Sequence, residues 1–414
     1  MAGRIGPAFL GSLDVATRSL HTMSDLFAEQ LQALRARSLH RKLREIGSAQ
    51  GSIVDLVGKR LINFSSNDYL GLANDQRLRD AATAAIAEFG VGAGSSRLIS
   101  GTQSPHLKLE NAIAKWKKTQ AALCFSSGYA AAVGTLPALA GKSDVVLLDK
   151  LCHASLIDGA KLSGAILRVF PHNHLGKLES HLEWAKREHP NSRVVIVTES
   201  VFSMDGDRVP LRELIELKKR FDALLLLDEA HAIGVIGPNG RGLAAEEGLN
   251  EDVDVQMGTL SKALGGSGGY ICGSRNLIEW LINRARSFIY STASPPPIAA
   301  AARAAVEFLE SSEGEHRRLQ LWKRIERMRK SLPEDAAKLA NAARSTIFPW
   351  IVGDEQAAID LSSGLQTEGF FVPAIRYPTV AKGSARLRIT VTASHDEAQI
   401  KALGDALRRL SATK

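Results

Sequence analysis

Short apolar runs alternate with longer amphipathic stretches between about residues 106 and 273. Such a run is typical of a strand buried on both faces, and the intervening stretches have helical spacing. Strands that alternate with helices form βαβ crossovers, so the pattern predicts a mainly parallel sheet. The predicted strands are Ala121 to Phe125, Val145 to Leu148, Ile166 to Phe170, Arg193 to Thr198, Leu224 to Leu227, Val253 to Met257 and Tyr270 to Cys272.

The N-terminal part of the chain has a different pattern. Leucines among charged residues predict a helix over residues 24–46. We assign residues 1–60 to an N-terminal extension and arm. The first 22 residues make a poor signal peptide because glycine, proline and serine interrupt their apolar stretch, and Met23 is an alternative start.

The C-terminal part predicts a second, smaller domain. After three prolines at 295–297, helical spacing continues to about residue 343. Strands are predicted at 346–352, 370–373 and 387–391, before a closing helix from His395. The pattern therefore predicts a large α/β domain over residues 61–300 and a smaller α+β domain over residues 301–414.

Composition narrows the possible environments and partners. No apolar run is long enough to cross a membrane. The three cysteines are far apart and lack metal-ligand spacing, which favours reduced thiols in a cytoplasmic protein without a metal site. A net charge of +8 and a pI near 9.4 raise nucleic acid as a partner. Much of that charge, however, lies at residues 317–330 among apolar residues at helical spacing, so we expect a solvated helix face and no nucleic-acid partner.

Polar residues follow several predicted strands, at the edge where ligands bind in parallel α/β sheets. A small-residue turn that opens a helix suits a phosphate, since helix N-termini carry free amides. A lysine that follows an apolar strand and precedes a glycine-rich loop lies where backbone approaches a ligand closely. The candidates at the strand ends are Gly128 and Tyr129 in the small-residue turn, His153, Ser203, Asp228 with His231, and Thr259 with Lys262.

Two kinds of enzyme could use these parts. The Asp-Glu-Ala-His run at residues 228–231 matches the box of a P-loop NTPase. That class needs a Walker A loop, but Gly141-Lys142-Ser143 has Leu136 where the first glycine must stand. A pyridoxal-phosphate enzyme needs a lysine Schiff base, an acid at the pyridine nitrogen, a phosphate-binding turn and often an aromatic lid. All four are present, so the sequence favours pyridoxal 5'-phosphate as the cofactor.

In these residues and in the motifs around them, the chain resembles the α-oxoamine synthases, a branch of the fold-type I pyridoxal-phosphate enzymes. The resemblance covers most of the chain. Each motif alone is modest evidence, but their occurrence together in the order given below is highly specific. They are residues 63–72 (Asn-Phe-Ser-Ser-Asn-Asp-Tyr-Leu-Gly-Leu), 94–98 with Gly101-Thr102, 153–155, 203–206, 228–231, 259–262 and 386–388.

The resemblance implies a fold, an assembly and a set of roles. The fold would be a large domain with a mainly parallel seven-stranded sheet, a smaller C-terminal α+β domain and an N-terminal arm. Family members are homodimers with a shared active site, so Thr292 would approach the cofactor phosphate of the neighbouring subunit. The implied cofactor contacts are Lys262 on the aldehyde, Asp228 on the pyridine nitrogen, His153 on the ring face, His231 and Ser203 near the phenolic oxygen, and Gly128, Tyr129 and Thr259 near the phosphate.

The substrate residues are predicted less directly. Arg386 and Arg388 lie two apart on a predicted strand, so both face one side, where a guanidinium could bind a carboxylate. Spacing does not choose between them; the resemblance favours Arg388, with Asn67 assisting. Arg44 matches a position that contacts the acyl substrate, although it is also one more charge in a basic segment. We also assign Thr379 to the substrate site.

The resemblance also suggests the reaction. Residues 374–380 and 290–296 look most like the family member that condenses L-alanine with an acyl-CoA or acyl-carrier protein carrying a pimeloyl chain, a step of biotin biosynthesis. Members that use glycine or serine, or other acyl chains, are the alternatives.

Overall fold

The computed structural model describes residues 23–333 and 344–412. The chain forms two compact units, one ending at Leu43 and one beginning at Arg44. The first contains α1 (Met23–Ala36). Sequence spacing predicted that this helix would continue to residue 46, but Ser38 adopts a φ of 53°, a left-handed conformation that ends the helix.

The unit from Arg44 onward contains the remaining strands and helices. Its strands are β1 (Ile53–Leu56), β2 (Lys59–Asn63), β3 (Ala121–Phe125), β4 (Val145–Asp149), β5 (Ile166–Phe170), β6 (Val194–Glu199), β7 (Leu224–Asp228), β8 (Val255–Thr259), β9 (Gly269–Gly273), β10 (Ile347–Gly353), β11 (Phe370–Phe371), β12 (Ala374–Ile375) and β13 (Ala385–Thr390). Its helices are α2 (Gln76–Phe89), α3 (Ser104–Lys117), α4 (Gly128–Leu139), α5 (Ala154–Ser163), α6 (Leu175–Glu188), α7 (Leu211–Arg220), α8 (Leu243–Glu246), α9 (Arg275–Arg284), α10 (Arg286–Ile289), α11 (Pro296–Glu310), α12 (Ser312–Ser331), α13 (Glu355–Thr367) and α14 (Glu397–Ala412).

A seven-stranded sheet forms the centre of this unit, in the order β3-β9-β8-β7-β6-β4-β5. The β8-β7-β6-β4-β5 neighbours pair in parallel, whereas β9 runs antiparallel to both β3 and β8. Apolar side chains on alternate positions enter two core clusters, one on each face. The prediction of an α/β fold with a mainly parallel seven-stranded sheet is therefore confirmed.

Two three-stranded sheets accompany the central one. They have the orders β1-β2-β11 and β10-β13-β12. β13 is the middle strand of the second sheet and carries Arg386 and Arg388. The division at residues 60 and 300 stays a prediction.

The basic residues of helix α12 are not all exposed to solvent, although the sequence had predicted that they would be. A solvated basic face was predicted, but Arg318 is only 3% exposed and donates a hydrogen bond to the carbonyl of Leu309. Arg317 donates to the carbonyl of Leu70 at 2.9 Å. The prediction was wrong for Arg318 because its guanidinium satisfies a carbonyl near the end of the preceding helix.

The three cysteines lie in or near the central sheet, and burial raises the pKa of each thiol. Within residues 23–333 and 344–412, no helix is long and apolar enough to cross a membrane.

Candidate active site

A cavity of about 230 Å³ opens at the carboxyl ends of the parallel strands. This is the edge at which ligands bind in open α/β sheets. Turns that follow β3, β4, β7 and β8 supply most of its wall, and one residue comes from the end of β6. The lining residues are Ser127, Gly128, Tyr129, His153, Ser155, Glu199, Asp228, Ala230, His231, Met257, Thr259, Ser261 and Lys262.

Lys262 brings a primary amine into this cavity. Its Nζ lies 2.9 Å from His231 Nε2. Burial lowers the pKa of Lys262 to about 8, while the charge of Asp228 acts in the opposite direction. A large fraction of this amine is therefore neutral at mildly alkaline pH, which is the form that attacks an aldehyde.

Asp228 ends β7 and is 5% exposed. Its Oδ1 accepts a hydrogen bond of 2.9 Å from the backbone N–H of Ala230, which fixes the carboxylate at the start of the turn. Burial raises the pKa of Asp228, and the nearby Lys262 charge opposes that effect. A cationic ring nitrogen would give this carboxylate a second favourable partner.

His231 belongs to a hydrogen-bonded chain that extends away from Lys262. Its Nδ1 lies 2.6 Å from the hydroxyl of Tyr69, which in turn donates to Asn67 Oδ1 at 3.3 Å. Burial, Lys262 and Arg388 together lower the pKa of His231 well below its usual value, so its imidazole is neutral. The sequence pattern assigned no role to Tyr69, because its contact with His231 joins residues that are 162 positions apart along the chain.

His153 is the N-cap of α5 and is an exposed residue of the cavity lining. Its Nδ1 lies 2.8 Å from Ser155 Oγ and accepts a hydrogen bond of 3.3 Å from the Ser155 backbone N–H. A backbone N–H only donates, so Nδ1 is unprotonated and the proton of the neutral ring is on Nε2. Burial and Lys262 lower the pKa of His153, which favours this neutral form.

The part of the cavity wall formed by the start of α4 suits a phosphate. Helix α4 begins there, and Ser127 caps it by accepting from the N–H of Ala130. In the part of the chain that the structure describes, the amides of Gly128 and Tyr129 donate no hydrogen bond. The hydroxyl of Thr259 lies 2.8 Å from that of Ser261 beside them. Free amides at a helix N-terminus together with hydroxyl groups are an anion site.

The same region requires a glycine where β9 passes α4. A Cβ on Gly269 would lie 2.6 Å from the Cα of Gly128, so the first turn of the helix lies directly against the strand. This close approach explains why a glycine ends the glycine-rich run at residues 265–269.

Arg386 and Arg388 both point to the turn at residues 203–205, as their spacing predicted, but their partners differ. Arg386 forms an ion pair of 2.7 Å with Asp205. Arg388 donates to the carbonyl of Ser203 at 2.5 Å and to Asn67 Oδ1 at 3.1 Å. Among the described residues, Arg388 has no carboxylate partner, and its positive charge lowers the pKa of His231.

His172 ties two of the loops together. Its Nε2 and Nδ1 lie 2.7 Å from Asp207 and 3.1 Å from Asp149. Hydrogen bonds to these carboxylates, together with their charge, raise the pKa of His172 to about 10 against the opposing effect of burial. The imidazolium thus joins the end of β4, which leads to His153, to the turn that bears Ser203.

The other predicted site residues lie outside the cavity lining. Ser203 contributes its backbone carbonyl to Arg388 and is not among the lining residues. Thr379 and Thr292 are exposed, and Thr292 bridges to Ser96. Arg44 is exposed with its guanidinium 5.8 Å from the ring of Phe371. These roles stay predictions.

The P-loop alternative conflicts with this geometry. Residues 141–143 precede β4 and therefore lie at the amino edge of the parallel strands, whereas Asp228 ends β7 at the carboxyl edge. A Walker A loop and its acidic partner must meet at one phosphate. The Asp-Glu-Ala-His run here faces a lysine cavity instead.

Comparison with known proteins agrees with this picture. The family model for aminotransferase class I and II matches residues 59–407. A relative named 8-amino-7-oxononanoate synthase, from Geobacter sulfurreducens, is 45% identical over 94% of this chain and 98% of its own length. The chain belongs to the aminotransferase class I and II family. Another relative with the same synthase name, from Anaeromyxobacter dehalogenans, is 47% identical over 91% of this chain and 93% of its own length.

Solved structures of this family share the fold. A serine palmitoyltransferase from S. paucimobilis, with a bound PLP-myriocin aldimine, superimposes with a TM-score of 0.87 at 28% identity, covering 96% of this chain and 99% of that one. An 8-amino-7-oxononanoate synthase from Francisella tularensis gives a TM-score of 0.70 at 29% identity, covering 85% and 98% of the two chains.

Proposed function

We propose that this protein is a pyridoxal-phosphate enzyme that condenses L-alanine with pimeloyl-CoA or a pimeloyl-carrier protein. The products are 8-amino-7-oxononanoate, the free thiol and carbon dioxide, and the reaction belongs to biotin biosynthesis. The observation that carries this proposal is the identity of 45% with a synthase of that name over nearly the whole chain. The Lys262 cavity provides the site that such chemistry needs.

The cavity residues fit pyridoxal phosphate. The free amides of Gly128 and Tyr129, with Thr259, form an anion site for its phosphate. Asp228 is available for a protonated ring nitrogen, His153 for a ring face, and Lys262 for the aldehyde. When bound, this cofactor supplies an electron sink for the pair left at the substrate Cα.

The protein's own groups then bind the amino acid and move its proton. Lys262, whose amine has a lowered pKa, is suited to remove the Cα proton once it is free. Arg388 is suited to hold the substrate carboxylate, because the described residues give it only neutral oxygen partners. Asn67 and Tyr69 keep the guanidinium in place. His153, with its proton on Nε2, can donate to an oxygen of the substrate.

The remaining roles rest on the resemblance alone. Arg44 would contact the acyl substrate, and Thr379 would belong to the substrate site. The enzyme would be a homodimer in which Thr292 of each subunit approaches the phosphate bound by the other. We place the protein in the cytoplasm, without nucleic-acid or membrane partners.

Other α-oxoamine synthases are the alternative functions: 2-amino-3-ketobutyrate CoA ligase, aminolaevulinate synthase and serine palmitoyltransferase. They share the cavity chemistry and differ in amino acid and acyl chain. The test is a panel of L-alanine, glycine, L-serine and L-threonine against pimeloyl-, succinyl-, acetyl- and palmitoyl-CoA, with thiol release measured. We expect L-alanine with pimeloyl-CoA to give the highest kcat/KM; glycine or serine as the best amino acid would contradict the proposal.

A further inference from the structure

Glu199 lines the cavity but has no part in the proposed function. It ends β6, which pairs in parallel with β7 so that Glu199 lies opposite Asp228. Both carboxyl groups are almost fully buried, at 2% and 5% exposure. Two acidic side chains thus occupy neighbouring positions at the end of the sheet.

The two side chains project from the same face of the sheet. Val197, two residues before Glu199, and Leu226, two residues before Asp228, belong to the same core cluster on one face. Side chains alternate along a strand, so Glu199 and Asp228 share that face. Adjacent strands lie about 4.8 Å apart, and two buried carboxylates at such a spacing do not both ionise at neutral pH.

Of the two, Glu199 is the one suited to keep its proton. Burial and the charge of Asp228 raise the pKa of Glu199 well above its usual value, although Lys262 and the N–H of His153 act in the opposite direction. Burial also raises the pKa of Asp228, but to a lesser extent, because Lys262 and the N–H of Ala230 favour its ionised form. The negative charge therefore belongs on Asp228.

Glu199 also contacts His153, another residue of the cavity lining. Its Oε1 accepts a hydrogen bond of 2.5 Å from the backbone N–H of His153. Ser155 fixes the ring of His153 through Nδ1, so the ring is oriented from one side and its backbone is anchored from the other. One carboxyl group thus touches the backbone of the ring-stacking candidate and neighbours the acid expected at the ring nitrogen.

We propose that Glu199 is a positioning residue that acts as a neutral carboxylic acid: its Oε1 anchors the backbone of His153, and its lack of charge leaves the negative charge beside the ring nitrogen to Asp228. The proposal rests on the proposed function in that the cavity must bind pyridoxal phosphate. It does not depend on which amino acid or thioester the enzyme uses.

The protonation state is tested directly by infrared spectroscopy of the cofactor-loaded enzyme at neutral pH. We expect the carbonyl stretch of a protonated carboxylic acid in the wild type and its loss in Glu199→Gln. The matched control is Thr198→Val, which changes the preceding residue on the opposite face and removes a buried hydroxyl without a hydrogen-bond partner in the described chain. This variant should keep the band. Absence of the band in the wild type, or its persistence in Glu199→Gln, would overturn the proposal.

The anchoring role is tested by cofactor affinity. Glu199→Ala leaves the His153 N–H without its acceptor, and we expect the dissociation constant of pyridoxal phosphate to rise about tenfold or more. Glu199→Gln restores an uncharged acceptor and should return the constant to within about threefold of wild type, as should Thr198→Val. Wild-type affinity in Glu199→Ala, or equal weakening in Glu199→Gln, would refute the anchor.

The infrared test, the cofactor-affinity test and the substrate panel can each fail independently of the others. If Glu199→Ala fails to fold, the infrared comparison of wild type with Glu199→Gln still decides the neutral state on which the proposal stands. Failure of either test leaves the substrate panel unaffected, and an unexpected best substrate leaves both of these measurements valid.

Discussion

Arg388→Lys should weaken amino-acid binding specifically. Lysine keeps the positive charge but loses the planar fork that can bind a carboxylate through two parallel hydrogen bonds. Arg388 is 7% exposed, so its bonds form away from competing water. The loss of one hydrogen bond to a charged group costs about 1.5–3 kcal/mol, which corresponds to roughly 10- to 150-fold in affinity. We therefore expect the KM for L-alanine to rise by about that factor.

The assay follows thiol release while L-alanine is varied at saturating pimeloyl-CoA, with cofactor affinity measured separately. Arg386→Lys is the matched control, since lysine at 386 can still pair with Asp205, and its KM for L-alanine should change less than about threefold. An unchanged KM in Arg388→Lys, together with a tenfold rise in Arg386→Lys, would show that the carboxylate binds the other arginine.

Further predictions concern cofactor capture and loop geometry. Lys262→Ala should abolish turnover and the visible absorption of the reconstituted enzyme, and a borohydride adduct at another lysine would contradict the assignment. Because the pKa of Lys262 is lowered to about 8, its neutral fraction grows as pH rises through that value. The rate of cofactor uptake by the apoprotein should therefore reach about half of its maximum near pH 8 and level off about one pH unit higher, and a rise that continues beyond pH 10 would indicate an ordinary lysine. His172→Gln loses the charge between Asp149 and Asp207, and Asp207 lies beside the turn whose Ser203 carbonyl accepts a hydrogen bond from Arg388. We therefore expect the KM for L-alanine to rise about three- to tenfold with little change in cofactor affinity, and an effect on stability alone would contradict this link between His172 and Arg388.

Much of the central sheet could be predicted because its signal is local. Strands β3 and β5 begin and end at the predicted residues, and others differ by one or two positions. Strand order is not local, since it depends on which crossovers pack side by side. The antiparallel direction of β9 could not be predicted either, because an apolar run does not indicate in which direction its strand runs in the sheet.

The residues of the candidate site likewise include some that local sequence could predict and others that it could not. Lys262, Asp228, His231 and His153 follow strands, so the topology of a parallel sheet brings them to one edge, and the structure places all four in one cavity. Glu199 was counted outside the predicted strand, and its environment arises only from pairing with β7. Tyr69 reaches His231 from a distant loop, a contact that spacing along the chain does not encode.

The antiparallel direction of β9 has a consequence for the lysine itself. Residues 260–268 connect β8 to β9 as the tip of a hairpin, closed by the bond from the N–H of Leu260 to the carbonyl of Gly268 at 2.9 Å. Lys262 therefore lies in a short connection whose two ends are fixed by the backbone hydrogen bonds between β8 and β9. It does not lie in a turn that leads into a helix. An added or deleted residue in this connection would shift the amine relative to the aldehyde it must meet, so natural length variation should be absent there while the outer loops tolerate it.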